Sequence, residues 1–198
     1  MDLNCLYRCF DALVKDGFAE FPIFDFLTGC RKNETRKVEY NHSHILIIEG
    51  IHALNPLIIN GFDKDLFYKA YISVASEYTN HEMVILSKEE IRLIRRMVRD
   101  IKNRNTAVEA TLSMWKTVIE GEKIYIDPYQ DTANYFIDSI LQYEPGMLKP
   151  VVTPLLESVE KTSEHWQWVQ MLLEAVSLFT DIPISDLPRD SLLNEFLS

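Results

Sequence analysis

Between Glu89 and Arg104 the apolar positions recur with the period of a helix. Ile91, Ile94, Met97, Val98 and Ile101 fall on one arc at 100° per residue, which predicts a helix with one buried side. Arg92, Arg95, Arg96, Arg99 and Lys102 fall on the adjoining arc. The same period, carried by Leu3, Leu6, Phe10, Leu13 and Val14, predicts a helix over Asp2 to Lys15, with Gly17 as its stop. A further helix is expected over roughly Ala107 to Glu120. From Pro145 onward, Gly146 to Val159 and Glu164 to Phe179 both read as helices. The linker Glu160 to Ser163 is short, as expected between antiparallel partners. The tail from Asp181 carries Pro183 and Pro188, and is expected to run over the surface and dock its apolar end.

The strand pattern is of two kinds. Phe21 to Phe26 is aromatic and extended, with Pro22 disfavouring helix at Phe21. Thr35 to Tyr40 alternates loosely and fits an edge strand of a hairpin. His44-Ile45-Leu46-Ile47-Ile48-Glu49-Gly50 is a short unbroken apolar run ended by an acid and a glycine, the pattern of a central parallel strand covered on both faces. On that reading Ile47→Asp unfolds the chain, because it places a charge in a two-sided core. Phe67 to Val74 and Tyr135 to Ile140 are the next strand candidates, with the arginine helix and its successor between them. This alternation predicts an α/β fold with a parallel sheet: a core over residues 1–144 and a C-terminal helical extension, 145–198, packed on it. Ligands of such sheets sit at the carboxyl ends of strands, which puts Glu49 and Gly50 at a site edge.

Charge changes the picture at the arginine helix. The chain has 20 Lys and Arg against 30 Asp and Glu, a net charge of −10, which argues against general affinity for nucleic acid or anionic lipid. No apolar run approaches the roughly 20 residues of a membrane span, and the N-terminus lacks the pattern of a signal peptide. Cys5, Cys9 and Cys30 form no spaced framework and read as reduced thiols of a cytoplasmic protein, Cys5 and Cys9 packing one helical turn apart. The histidines lack metal-ligand spacing. Against this acidic background a guanidinium strip is a local exception. Arginine offers a planar fork that pairs with phosphate or carboxylate oxygens, so the strip reads either as a phosphate grip or as a solvated face laced to nearby carboxylates. In the first case Arg95, Arg99 and Arg104 close over polyphosphate as a lid. Glu49 then acts on a magnesium ion through water; otherwise it caps the next turn. Phosphoryl transfer is the chemistry these parts serve, since it is mostly positioning and charge neutralisation. The phosphate-cradling motif G-x-x-x-x-G-K-[ST] is absent from the 198 residues.

Three stretches in order, PIFDFLTGCRKNETRKV, HILIIEGIHALNP and IRLIRRMVRDIKNRN, resemble the uridine kinase and phosphoribulokinase family of P-loop kinases. The stretch KIYIDPYQDTANYFIDSILQYEPGMLKPVVTPLLESV and the terminal SLLNEFLS look like a bacterial-type branch, often fused behind a threonyl-tRNA-synthetase-like region. The resemblance implies a P-loop-kinase-like core without its P-loop strand, and ATP, Mg2+ and a nucleoside as ligands. It implies that Phe24, Asp25 and Arg31 line the nucleoside pocket, with Phe24 in place of the usual Tyr and Gly29 in place of a His. It implies that Arg95, Arg96, Arg99 and Arg104 are the arginines of the lid, that Glu49 and Gly50 are the strand-end pair, and that Asn105 replaces a common Gly. The family's P-loop and its acidic base have no counterpart here. The chain is therefore expected either to be the C-terminal portion of an ATP-dependent nucleoside kinase, inactive alone, or a non-catalytic binding or assembly module. In both cases another element is expected to complete the sheet: a missing N-terminal portion, a partner or a second copy.

Overall fold

A computed structural model describes residues 2–25, 28–60 and 67–197. The chain divides into two compact units, one of Met1–Lys69 with Tyr125–Ala133, the other of Ala70–Ile124 with Asn134–Ser198.

In the first unit, α1 (Leu3–Asp16) begins where the Asp2 side chain accepts from the Cys5 amide at 3.0 Å. It ends at Gly17, whose φ of +77° closes the helix, while the Tyr40 amide donates to the Gly17 carbonyl at 2.8 Å. Phe10 and Leu13 are buried against Ala19, and Phe10 meets the Phe21 ring edge-on at 5.4 Å. The expected hairpin is present and longer than its sequence signal: β1 (Phe18–Asp25) pairs antiparallel with β2 (Cys30–Glu39), with an irregularity between Pro22 and Phe24 where proline cannot donate. Phe26, the end of the expected extended segment, lies outside the described residues. A single-turn helix, α2 (Pro56–Ile59), is capped by Asn55.

The central strand expected over His44 to Gly50 does not form. This stretch is irregular and open, with Ile45 91% and Ile47 84% exposed. A parallel strand covered on both faces needs a hydrogen-bonding neighbour and a covering layer on each side. No strand among the described residues pairs with this run, so its composition alone does not make it a strand. The expected effect of Ile47→Asp changes accordingly. In the isolated chain it should shift stability by no more than about 0.5 kcal/mol. A thermal melt checks this, and a loss of cooperative unfolding would restore the buried-strand reading.

In the second unit, β3 (Ala70–Ser73) pairs in parallel with β6 (Tyr135–Asp138). The expected parallel layer is thus present as one pair, shorter than its sequence signals. The hairpin of β4 (Tyr78–Asn80) and β5 (Met83–Leu86) turns at His81. It leads into α3 (Lys88–Arg104), which starts at a capping box between Ser87 and Glu90. The predicted stripe is the buried one, joined by Leu93, and Ile101 packs at its margin. Asn105 ends α3 at φ +49°, with its amide bonded to the Asp100 carbonyl. Asn tolerates that left-handed conformation better than other non-glycine residues, which accounts for Asn at a place where the resembling family has Gly. After α4 (Val108–Tyr125) the chain passes through a 3-10 turn of the first unit (Asp127–Thr132), and the second unit resumes with β6, α5 (Glu144–Glu157) and α6 (Trp166–Ser177). Met147, Leu148, Val152 and Leu156 of α5 and Val169, Leu172 and Val176 of α6 share one apolar cluster with α3. At the end of the tail Leu193 is buried, and α7 (Asn194–Leu197) adds Phe196 to the same cluster beside α3.

Candidate functional site

The arginine strip of α3 divides into two groups. The Arg92 guanidinium pairs with Glu122 and lies 5.8 Å from the Trp115 ring centre. Arg95 is buried. Its Nε and Nη2 donate to the two oxygens of Glu144, the latter at 2.7 Å, and Nη2 and Nη1 donate to the Ser139 carbonyl and hydroxyl at 2.8 and 3.2 Å. Its other side faces the Phe196 ring at 5.9 Å. Arg95 thereby ties α3 to the first turn of α5, to the segment after β6 and to α7.

The remaining three arginines gather on one carboxylate. Arg96 donates from Nε to Asp100 Oδ2 at 3.1 Å, Arg99 from Nε to Oδ1 at 3.4 Å, and Arg104 Nη1 lies 3.2 Å from Oδ1. Asp100 is 1% exposed, whereas the Arg104 side chain is half in solvent. Three guanidinium groups against one carboxylate leave two positive charges in surplus at the C-terminal end of α3. These cations also complement the negative end of the helix dipole. Asp100 is a residue the apolar-and-arginine reading passes over. Its signal is in the sequence all the same: Arg96, Asp100 and Arg104 stand four apart in both directions, the spacing at which helical side chains meet.

In the first unit Phe24, Asp25 and Arg31 come together at the turn end of the hairpin. Phe24 faces Arg31 across the strand pair, and Asp25 faces Cys30. Gly29, at φ +67°, makes the turn, and its amide donates to the Asp25 carbonyl at 2.9 Å. Arg31 pairs with Asp2 at 3.2 Å. The Asp2 carboxyl is held below the usual range mainly by the Cys5 amide, against some burial and with help from Arg31. Glu49 stands in the open stretch after the apolar run and is exposed. The described residues thus bring together Phe24, Asp25 and Arg31 in one unit, and Arg96, Arg99 and Arg104 in the other.

A second overlooked carboxylate is Asp138, at the carboxyl end of β6. Burial alone raises its pKa, but the amides of Ala75 and Ile140, the hydroxyl of Ser76 and the Ser76 amide hold it below the usual carboxylate range. With those donors it ties the end of β3 to the end of β6. The Cys9 thiol is pushed up, first by burial and then by the neighbouring Cys5 thiol, as befits a packing cysteine. No helix among the described residues is long and apolar enough to cross a membrane.

Comparison with known proteins adds a family to this geometry. The model of the phosphoribulokinase / uridine kinase family matches residues 1–144. The uridine kinase of Clostridium tetani (strain Massachusetts / E88) is 31% identical over 119 residues, covering 60% of this chain and 48% of that protein. The uridine kinase of Clostridium botulinum (strain Okra / Type B1) is 31% identical over 127 residues, covering 63% and 52%. That of Ureaplasma parvum serovar 3 (strain ATCC 27815 / 27 / NCTC 11736) is 25% identical over 114 residues, covering 57% and 46%. The chain spans about half the length of the curated relatives it matches.

Proposed function

Because the chain belongs to the phosphoribulokinase / uridine kinase family, we propose that it serves as the C-terminal portion of an ATP-dependent nucleoside kinase. The observation that carries this reading is the surplus of positive charge around Asp100, on a chain whose net charge is −10. Arg96, Arg99 and Arg104 would steady the polyphosphate of ATP. Four of the five N–H donors of Arg95 are engaged by Glu144 and Ser139, so Arg95 acts by fixing the helix that carries the other three. Phe24, Asp25 and Arg31 would line the nucleoside pocket from the hairpin turn.

Magnesium takes one or two carboxylates together with phosphate oxygens and water. Glu49, which is exposed, would supply one carboxylate, and no group of three His, Cys, Asp or Glu that could hold a metal forms among the described residues. The donor set fits an ion shared with ATP, not an all-protein site. Magnesium would supply charge neutralisation at the phosphates, and Glu49 would act on it through water. The three free cysteines support a cytoplasmic setting.

The absence of G-x-x-x-x-G-K-[ST] from the 198 residues and the open apolar run before Glu49 favour a second reading, a non-catalytic assembly module whose open run is covered by another chain. One experiment separates the two. Uridine-dependent release of ADP from Mg-ATP is measured for the chain alone and for the chain fused behind the N-terminal half of the Clostridium tetani enzyme. The chain alone should turn over nothing and the fusion should turn over uridine. Arg99→Ala in the fusion should lower kcat/KM about 10- to 100-fold, the worth of a charge-assisted bond. A fusion that folds by circular dichroism yet neither binds ATP nor turns over uridine would hand the case to the assembly module.

A further inference from the structure

Asp100 is buried, so packing fixes its carboxylate, and a buried carboxylate requires partners. One arginine four residues away satisfies that requirement. The structure supplies three, and all three lie within the last nine residues of α3. Arg96 and Arg99 reach Asp100 through Nε, so their terminal Nη groups, the forks that pair with phosphate oxygens, are not used by it. An arginine free in solution loses much rotamer freedom when it grips an anion. Here part of that loss is already incurred in the folded chain, because one fixed carboxylate holds Arg96 and Arg99 at Nε and Arg104 at Nη1.

We propose that Asp100 is a positioning residue: it gathers Arg96, Arg99 and Arg104 into one preformed grip for a polyphosphate chain. Arg92 and Arg95, each tied to its own carboxylate, stay outside the grip. The inference rests on the kinase reading for its ligand class. The carboxylate acts here against its own charge. By Coulomb's law alone, removing a negative group beside an anion site tightens anion binding. If positioning dominates, removing it loosens binding.

The opposite signs make the test. Inorganic tripolyphosphate is titrated calorimetrically into the full chain at low salt, against Asp100→Asn and Arg99→Lys. Wild type should bind, and Asp100→Asn should bind about tenfold more weakly. Arg99→Lys keeps the charge but lacks Nε and the fork, and should also weaken binding several-fold. Its side chain is less buried than that of Asp100, and it decides the matter if Asp100→Asn does not fold. Unchanged or tighter binding by Asp100→Asn, full affinity in Arg99→Lys, or no binding by wild type overturns the proposal. Tripolyphosphate carries no nucleoside, so the two readings fail separately. A chain that binds it through Asp100 but never phosphorylates a nucleoside in the fusion keeps the grip and loses the kinase. A competent fusion whose Asp100→Asn form keeps full affinity does the reverse.

Discussion

Arg95→Ala should destabilise the chain by about 3–5 kcal/mol, the cost of breaking a buried ion pair by removing one partner. The substitution leaves the Glu144 carboxylate buried at 1% exposure with no cation, and strips the Ser139 carbonyl and hydroxyl of their donor. It also opens the space beside Phe196, one of the contacts of α7 with α3. Glu144→Ala should cost a similar amount, since it strands the guanidinium and removes an acid from the favourable first turn of α5. The double replacement Arg95→Met with Glu144→Leu should recover most of the loss, because neither charge is then left unpaired. Arg99→Ala is the control. Its side chain is only partly covered, at 29% exposure, and Asp100 keeps Arg96 and Arg104 when it is removed, so the change should cost less than about 1 kcal/mol. Urea melts of the four variants check the set, and an Arg95→Ala chain as stable as Arg99→Ala would remove Arg95 from the structural role assigned to it.

Gly146→Val should be about as damaging, at about 3 kcal/mol. Gly146 lies in the first turn of α5, where a Cβ would stand 2.5 Å from the Thr180 carbonyl oxygen and 2.9 Å from two side-chain carbons of Ile182. The oxygen belongs to backbone and has little room to retreat, because the Ile182 amide donates to the Gly146 carbonyl at 3.0 Å. A β-branched side chain recovers only part of the roughly 1 kcal/mol by which Gly lags Ala in a helix, so steric exclusion wins. The variant should melt at markedly lower urea with loss of the contact between α5 and the segment after α6. A melt within experimental error of wild type would show that this segment moves aside.

How much could be read beforehand depended on where the determining contacts lie along the chain. The span of α3 was legible from its period; its cap at Ser87 and its end at Asn105 are local signals too, which periodicity alone does not use. The hairpin of β1 and β2 was legible in part, because alternation is loose in Thr35 to Tyr40 and hidden in the charged start of β2. The run before Glu49 was misread for a physical reason: its composition states what cover a strand would need, not that the cover is supplied. The arginines show the same limit. Arg96 and Arg104 meet Asp100 at helical spacing, so their pairing was available from the sequence. Arg95 meets Glu144, 49 positions away, only because α3 and α5 pack on one core. Five cations on adjoining arcs of one helix therefore looked equivalent and are not.

The open stretch from Ile45 to Ile51 has a consequence for how the chain behaves in bulk. It offers β-branched residues in series, a single charge and no proline, the composition of segments that stack between copies as dry, interdigitated zippers. Left uncovered, such a run should favour self-association as concentration rises. Glu49 is the lone gatekeeper within that run. An acid at that place protects solubility as well as serving any chemistry, and a second acid at Ile47 would slow fibril growth while barely touching the fold.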